Sequence, residues 1–170
     1  MINDNRHVIA VADPAELATT AAERVIARIG GNPGRAAICL AGGSSPRRLY
    51  ELLATEPYRN RSPWDRLHWF IGDERFVPAT DPDSNEGMAR RVLLDHVLPH
   101  AIHSMFRVGS IEDAARAYDD LVRAAPPIDL VHLGLGTDGH TASLFPGSTT
   151  MVETERFVVS AGAAQHPHTP

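Results

Sequence analysis

The 170-residue chain has 21 acidic and 16 basic residues, a formal net charge of −5, and a hydrophobic content of 43%. These values predict one folded, soluble domain, and they argue against a disordered chain, a nucleic-acid-binding surface and a membrane-spanning segment. The sixteen basic residues are all arginine. The lack of lysine excludes a lysine Schiff base, a PLP–lysine linkage and a P-loop lysine within this chain. Any phosphate must therefore be held by arginine, backbone N–H groups and hydroxyls.

The first predicted elements are a strand over residues 6–12 and a helix that follows it directly. Asp13 is the expected N-cap, Pro14 occupies the first helical position, and Glu16 is placed to reach back as in a capping box. Apolar residues recur at helical spacing from Leu17 to Ile29, as an amphipathic helix requires. Glycines at positions 30, 31 and 34 end this helix.

The second predicted strand covers residues 36–41 and contains the one cysteine, Cys39, which we expect to be a buried thiol in a cytoplasmic protein. A loop of small residues, residues 42–46, leads from this strand into a helical segment over residues 47–54. Such a loop can present unpaired N–H groups to an anion. The same residues also suit an ordinary turn, so both interpretations stay open.

A third strand, residues 67–72, ends at Asp73-Glu74-Arg75, where open α/β sheets place functional side chains. The alternative is a solvated cluster of charges. Helices are expected after Ser84, through about Val97, and after Ser110, because both serines are suited to N-caps.

The richest segment runs from residue 129 to residue 147. Residues 129–135 are almost continuously apolar, which predicts a strand buried on both faces of a parallel sheet. A glycine-rich turn carrying Asp138 and His140 follows, and residues 141–143 are expected to open a helix. A further strand is expected over residues 156–160 and a polar tail over residues 161–170. The alternation of strands and helices predicts one doubly wound α/β domain over residues 1–160, with a mostly parallel sheet.

Three motifs resemble the 6-phosphogluconolactonase family, within the wider group that includes glucosamine-6-phosphate deaminases. They are Leu40-Ala-Gly-Gly-Ser-Ser-Pro46, Gly72-Asp-Glu-Arg-Phe-Val-Pro78 with Asp81 and Ser84-Asn85, and Gly134-Leu-Gly-Thr-Asp-Gly-His-Thr-Ala-Ser-Leu-Phe-Pro-Gly147. Within this group the second and third motifs look like the lactonase branch. A deaminase would typically show Asp-Glu-Tyr in the second motif, and the glutamate of its Gly-His-Ile-Ala-Phe-Asn-Glu-Pro pattern is missing here.

This resemblance implies a three-layer, Rossmann-like α/β/α fold of the sugar-phosphate isomerase/lactonase type. It also implies hydrolysis of 6-phosphoglucono-δ-lactone to 6-phosphogluconate in the oxidative pentose phosphate pathway. Family members continue past a segment like residues 165–170 into a further strand and helix, so the resemblance makes this chain short at its C-terminus, with residues 161–170 as the expected truncation point.

Lactone hydrolysis needs an activated water, stabilisation of the developing oxyanion and a grip on the phosphate. Imidazole accepts a proton at neutral pH, so His140 is the predicted general base. Asp73 is expected to relay a proton or to orient the water or His140, although it could instead be structural. Asp138 either orients the histidine or only stabilises the turn. The predicted residues that bind substrate and phosphate are Gly42, Gly43, Ser44, Ser45, Arg75, Gly139 and Thr141.

This scheme requires no metal or organic cofactor, and the expected ligand is a phosphosugar lactone. The chain is expected to be a monomer or a weak homo-oligomer, without nucleic-acid or membrane partners. Two other functions stay open. One is a sugar-phosphate isomerase or glucosamine-6-phosphate deaminase on the same scaffold, and the other is an inactive protein that only binds a phosphosugar.

Overall fold

The fold is built on one parallel sheet. A computed structural model describes residues 7–32, 34–125 and 127–161, and its four strands are β1 (Ala36–Leu40), β2 (Leu67–Ile71), β3 (Ala101–His103) and β4 (Leu130–Val131). Their order across the sheet is β3-β2-β1-β4, with all pairs parallel. Ile38 of β1 lies opposite Trp69 on one side and Leu130 on the other. β1 is therefore a central strand, and all five of its residues are buried, as its apolar sequence predicts.

In the part of the chain that the structure describes, four α-helices surround the sheet: α1 (Pro14–Gly30), α2 (Ser44–Leu53), α3 (Asn85–Ala89) and α4 (Ile111–Ala124). The predicted N-caps are confirmed, since the side chains of Asp13, Ser84 and Ser110 each accept hydrogen bonds from the first turn of their helix. The Glu16 carboxylate does reach back across the start of α1, but it accepts from the N–H of Ala12 and not from that of Asp13.

The helices lie on both faces of the sheet, so the predicted three-layer architecture is confirmed. One face carries the larger core, to which α1, α2 and α3 contribute. The other face packs against α4 through Ala37, Cys39, Phe70 and Tyr118. The Tyr118 hydroxyl accepts from the N–H of Ile71 at 2.8 Å and so ties α4 to the end of β2.

The topology defines where a ligand crevice should form. The chain builds the sheet outward from β1 through β2 to β3, and α4 then carries it back across the opposite face to β4, on the other side of β1. The direction of winding thus reverses between β1 and β4. Loops that leave the carboxyl ends of neighbouring strands separate at such a point and leave a crevice between them.

Three sequence-based strand predictions are wrong in extent or in kind. Residues 7–12 form no strand, and Val8 is 94% exposed, because no neighbouring strand pairs with this segment in the described part of the chain; Arg6 lies outside the described residues. β4 has two paired residues instead of seven, and beyond it Leu133 and Leu135 are exposed. Residues 156–160 are also not a strand, since the N–H groups of Phe157 and Val158 donate to the Asp119 carboxylate.

The helix predictions need smaller corrections. α2 begins at Ser44, three residues earlier than expected, and the segment after Ser84 is α-helical only to Ala89. It continues as a π-helical stretch over Arg90–Leu94 and ends before the predicted Val97. Residues 141–143 open no helix, because Ala142 has a φ of 51° and a left-handed residue interrupts a right-handed helix. β3 was not predicted, since three residues carry too little periodicity to identify a strand.

Within the described residues, no helix has both the length and the apolar character that crossing a membrane requires.

The predicted tail lies almost wholly outside the described residues, which end at Ala161. Trp64 and Trp69 are both buried and stack with their ring centroids 6.1 Å apart.

Candidate active site

The loop after β1 turns the chain directly into helix α2. Gly43 has a φ of +98°, which favours glycine, and it precedes the helix as an N-cap without a side-chain hydrogen bond. Ser44 and Ser45 form the first turn of α2 and are exposed. Gly42 is needed for a different reason, because a Cβ on it would lie 2.0 Å from Oδ1 of Asn85. The loop thus leaves the first turn of α2 without a side-chain cap and packs closely against the start of α3.

The acidic pair after β2 is not a solvated cluster. The Glu74 carboxylate turns back onto the start of α3, where it accepts from the N–H groups of Asn85 and Glu86 at 2.8 Å each and from the Ser84 hydroxyl at 2.9 Å. Burial raises the pKa of Glu74, although these donors oppose the rise. Glu74 therefore joins the β2 loop to α3, and its two neighbours are left to face the crevice.

Asp73 is held by residues from two other segments. Its Oδ2 accepts from the Ser143 hydroxyl at 2.9 Å, and its backbone carbonyl accepts from the side-chain amide of Asn85 at 2.8 Å. Ser143 is 70 positions away along the chain. The contact therefore depends on the sheet, which brings the loops after β2 and β4 to the same edge.

The loop after β4 folds tightly around His140. Nδ1 of His140 lies 2.5 Å from Oδ1 of Asp138, and this hydrogen bond lowers the pKa of the Asp138 carboxyl. Gly136 is required at its position, because a Cβ there would lie 2.2 Å from Nδ1 of His140. The Thr141 hydroxyl donates to the Gly134 carbonyl at 2.8 Å and closes the loop. The imidazole is also stacked against Phe145, with the ring centroids 4.8 Å apart.

Most of the predicted site residues face one cavity of about 760 Å³ at the carboxyl ends of β1, β2 and β4. Those on its wall are Gly42, Gly43, Ser44, Ser45, Asp73, Arg75 and His140. Asp138, Gly139 and Thr141 lie in the same loop as His140 but not on the wall. Among them, Asp138 contacts the wall residue His140, Thr141 braces the loop, and Gly139 provides a left-handed turn with a φ of +88°.

A smaller cavity of about 320 Å³ adjoins the larger one at Gly43, Ser44 and Arg75, and Arg47 also lines it. Within the described residues, the Arg75 guanidinium has no ion pair, whereas Nε of Arg47 contacts Glu51 at 2.8 Å. Arg75 is therefore a cation that is free to meet a ligand from either cavity.

Asn85 and Ser143 also lie on the wall of the larger cavity, and neither was among the predicted site residues. Both lie inside the motifs that carry the family resemblance, so a signal was present. Their role is set by contacts with Asp73, and a sequence does not display such contacts between distant segments.

The described residues contain no group of three or more His, Cys, Asp and Glu side chains arranged to bind a metal ion. His100 and His103 instead pack around His68, with Nε2 of His103 lying 3.1 Å from Nδ1 of His68. Burial lowers the pKa of His68 to about 4, with the nearby Arg35 adding to the effect.

Comparison with known proteins gives a consistent result. The family model described as glucosamine-6-phosphate isomerases/6-phosphogluconolactonase matches residues 12–170. A 6-phosphogluconolactonase from Synechocystis sp. is 43% identical over 136 residues, which cover 74% of this chain and 55% of the relative. One from Streptomyces coelicolor is 35% identical, with 98% of this chain and 71% of the relative covered.

Solved structures show the same fold. A 6-phosphogluconolactonase from Trypanosoma brucei matches with a TM-score of 0.76 and 34% identity, covering 91% of this chain and 69% of that one. A monomeric glucosamine-6-phosphate deaminase has a TM-score of 0.76 at 22% identity, a likeness of fold alone. The chain spans 55% and 56% of the lengths of its Synechocystis and Haemophilus influenzae relatives, both 6-phosphogluconolactonases.

Proposed function

The chain belongs to the glucosamine-6-phosphate isomerase/6-phosphogluconolactonase family, and we propose that it hydrolyses 6-phosphoglucono-δ-lactone to 6-phosphogluconate. The observation that carries the proposal is the gathering of Asp73 and Arg75, from the loop after β2, and His140, from the loop after β4, on the wall of one cavity. The 6-phosphogluconolactonases among its relatives support the same substrate. The reaction would serve the oxidative pentose phosphate pathway in the cytoplasm.

In this proposal His140 is the general base. Asp138 accepts the hydrogen bond from Nδ1, so the imidazole carries its proton on that nitrogen and leaves Nε2 as the acceptor. Nε2 takes a proton from water as the water oxygen attacks the lactone carbonyl. The ring C–O bond then breaks, and the proton returns to the ring oxygen as it leaves. The stack against Phe145 and the absence of a side chain on Gly136 keep the imidazole in place.

The phosphate is held at the other end of the cavity. The Arg75 guanidinium, which forms no ion pair with any described residue, supplies a planar fork of donors that suits phosphate oxygens. The Ser44 and Ser45 hydroxyls and the N–H groups of the first turn of α2 add further donors. A phosphate anchored there orients the lactone ring toward His140, and Asp73 lies on the wall of the same cavity.

The test is hydrolysis of freshly generated 6-phosphogluconolactone by the purified chain, measured against spontaneous hydrolysis. The variant is His140→Ala, and the matched control is His7→Ala, because His7 is exposed. We expect turnover that falls by about 100-fold or more in His140→Ala, since general-base catalysis contributes roughly 10²- to 10⁴-fold, and that is unchanged in the control. A His140→Ala protein with full turnover would refute the assigned role.

The same samples separate the other two functions. Release of ammonia from glucosamine 6-phosphate would indicate a deaminase, although the deaminase-type glutamate is missing from the third motif. Saturable binding of 6-phosphogluconate by a folded sample without any turnover would indicate a phosphosugar-binding protein. Either result would contradict the lactonase proposal.

A further inference from the structure

Asp73 is a wall residue that is held by contacts with two other segments of the chain. Its Oδ2 receives the Ser143 hydroxyl at 2.9 Å, while Oδ1 lies 3.4 Å from the Asn85 side-chain nitrogen. A carboxylate oxygen has two acceptor sites. Oδ1 can therefore still accept a hydrogen bond from a molecule in the cavity, whereas the position of Oδ2 is set by its hydrogen bond with Ser143.

Ser143 lies three positions after His140, so its bond to Asp73 relates the two predicted catalytic groups to each other. The backbone between them is unusual, because Ala142 adopts a left-handed φ of 51°, which non-glycine residues rarely do. Reciprocal hydrogen bonds between Thr141 and Leu144 hold this turn from within the loop. The Ser143 contact with Asp73 holds it from outside the loop.

Asn85 provides the second anchor. Its side-chain amide donates to the Asp73 carbonyl at 2.8 Å, and its Oδ1 fills the space where a Cβ on Gly42 would lie. The Asn85 backbone N–H itself donates to the half-buried Glu74 carboxylate at 2.8 Å. Asp73 is thus attached on one side to the rigid start of α3 and on the other side to the loop of His140.

We propose that Ser143, with Asn85 as the fixed anchor, is a positioning residue that acts through Asp73 and holds the loop of His140 at its working distance from the β2 loop. The kinetic consequence rests on the proposed lactonase function; the mechanical coupling of the two loops does not. Ser143 donates its one hydroxyl proton to Asp73, so that proton is not available for a hydrogen bond to the substrate.

A double-mutant cycle tests the kinetic part, using Ser143→Ala, Asp73→Ala and the double variant. We expect Ser143→Ala to lower kcat about tenfold with KM changed less than about twofold, because the phosphate grip lies elsewhere. Adding Ser143→Ala to Asp73→Ala should then have no further effect, as expected for residues that act as one unit. Additive losses would overturn the proposal.

Two further variants separate positioning from a general packing effect. Ser143→Thr keeps the hydroxyl and should restore kcat to within about threefold of the parent, because the hydroxyl and not the serine volume carries the effect. Ser148→Ala, the matched control, removes a hydroxyl that bonds to Thr150 within the same segment and should leave kcat unchanged. Failure of the threonine variant to rescue, with its melting temperature intact, would refute the assignment.

Amide hydrogen exchange tests the mechanical part without substrate. The reporter is the Leu144 N–H, which donates to the Thr141 carbonyl at 2.9 Å. Ser143→Ala and Asp73→Ala should each speed its exchange by the same factor, and the double variant should be no faster. If Asp73→Ala does not fold, Asp73→Asn takes its place, because it keeps the shape and weakens the acceptor.

The two measurements have distinguishable failures. Coupled exchange in a folded chain without lactone turnover would contradict the proposed function and support the coupling. Turnover with independent exchange effects would support the lactonase and overturn the coupling.

Discussion

His132 offers a quantitative test of the core beneath the site. It follows β4 directly, stacks on the Tyr50 ring with centroids 5.8 Å apart, and places Nδ1 3.2 Å from the Tyr50 hydroxyl. Among the described residues its Nε2 is buried without a hydrogen-bond partner. Because burial removes water from the charged form, the pKa of His132 is lowered to about 4.

The sign and size of the effect follow from linkage. Between about pH 6.5 and pH 4 the unfolded chain binds a proton at this histidine and the folded protein does not, so protonation favours unfolding as the pH falls. The folded state therefore keeps its full stability with respect to His132 above pH 6.5, and it loses that stability as the pH falls toward 4. From pH 7 to pH 4.5, the shift from about 6.5 to about 4 corresponds to a loss of about 2 kcal/mol in the free energy of unfolding.

Urea denaturation of the parent and of His132→Gln at pH 7 and pH 4.5 measures this loss. His68 and His103 have lowered pKa values and shift stability in the same direction, so the informative quantity is the difference between the two proteins. We expect the pH-dependent loss to be about 2 kcal/mol smaller in His132→Gln. His7→Gln is the control for an exposed histidine. An equal loss in His132→Gln and the parent would refute the reasoning.

Two other predictions concern the site and the core. Gly136→Ala should lower lactone turnover by about 100-fold, because its Cβ would displace the His140 imidazole and a small misplacement of a catalytic group can cost that much. The control is Gly134→Ala, whose Cβ would meet no atom within 4 Å and which should retain parental turnover. Equal losses in both variants would contradict the geometry. Cys39 should react with a thiol reagent at pH 8 at least about 100-fold more slowly in the folded protein than in urea, since burial raises its pKa to about 11 and only the thiolate reacts. Rapid labelling of the folded chain would show that the thiol is not enclosed.

Local chemistry determined much of this protein. Asp13, Ser84 and Ser110 cap their helices because a short polar side chain can satisfy the first free N–H groups whatever the rest of the chain does. β1 and β2 form at apolar runs in the sequence, because such runs are typical of strands that are buried on both faces of a sheet. The pairing of Asp138 with His140 is equally local, since the two residues lie two positions apart.

Other features of the structure depend on contacts between residues that lie far apart in the sequence. Residues 7–12 and 156–160 look like strands, yet strand formation needs a neighbour to receive the backbone hydrogen bonds. The first segment has no such neighbour within the described residues, and Asp119 takes the N–H groups at the start of the second. The contact between Asp73 and Ser143 spans 70 positions and exists only because parallel strands end at the same edge of the sheet. The motifs identify the residues that could carry the chemistry. Which of them meet depends on the fold, because side chains far apart in the chain come together only after the sheet has formed.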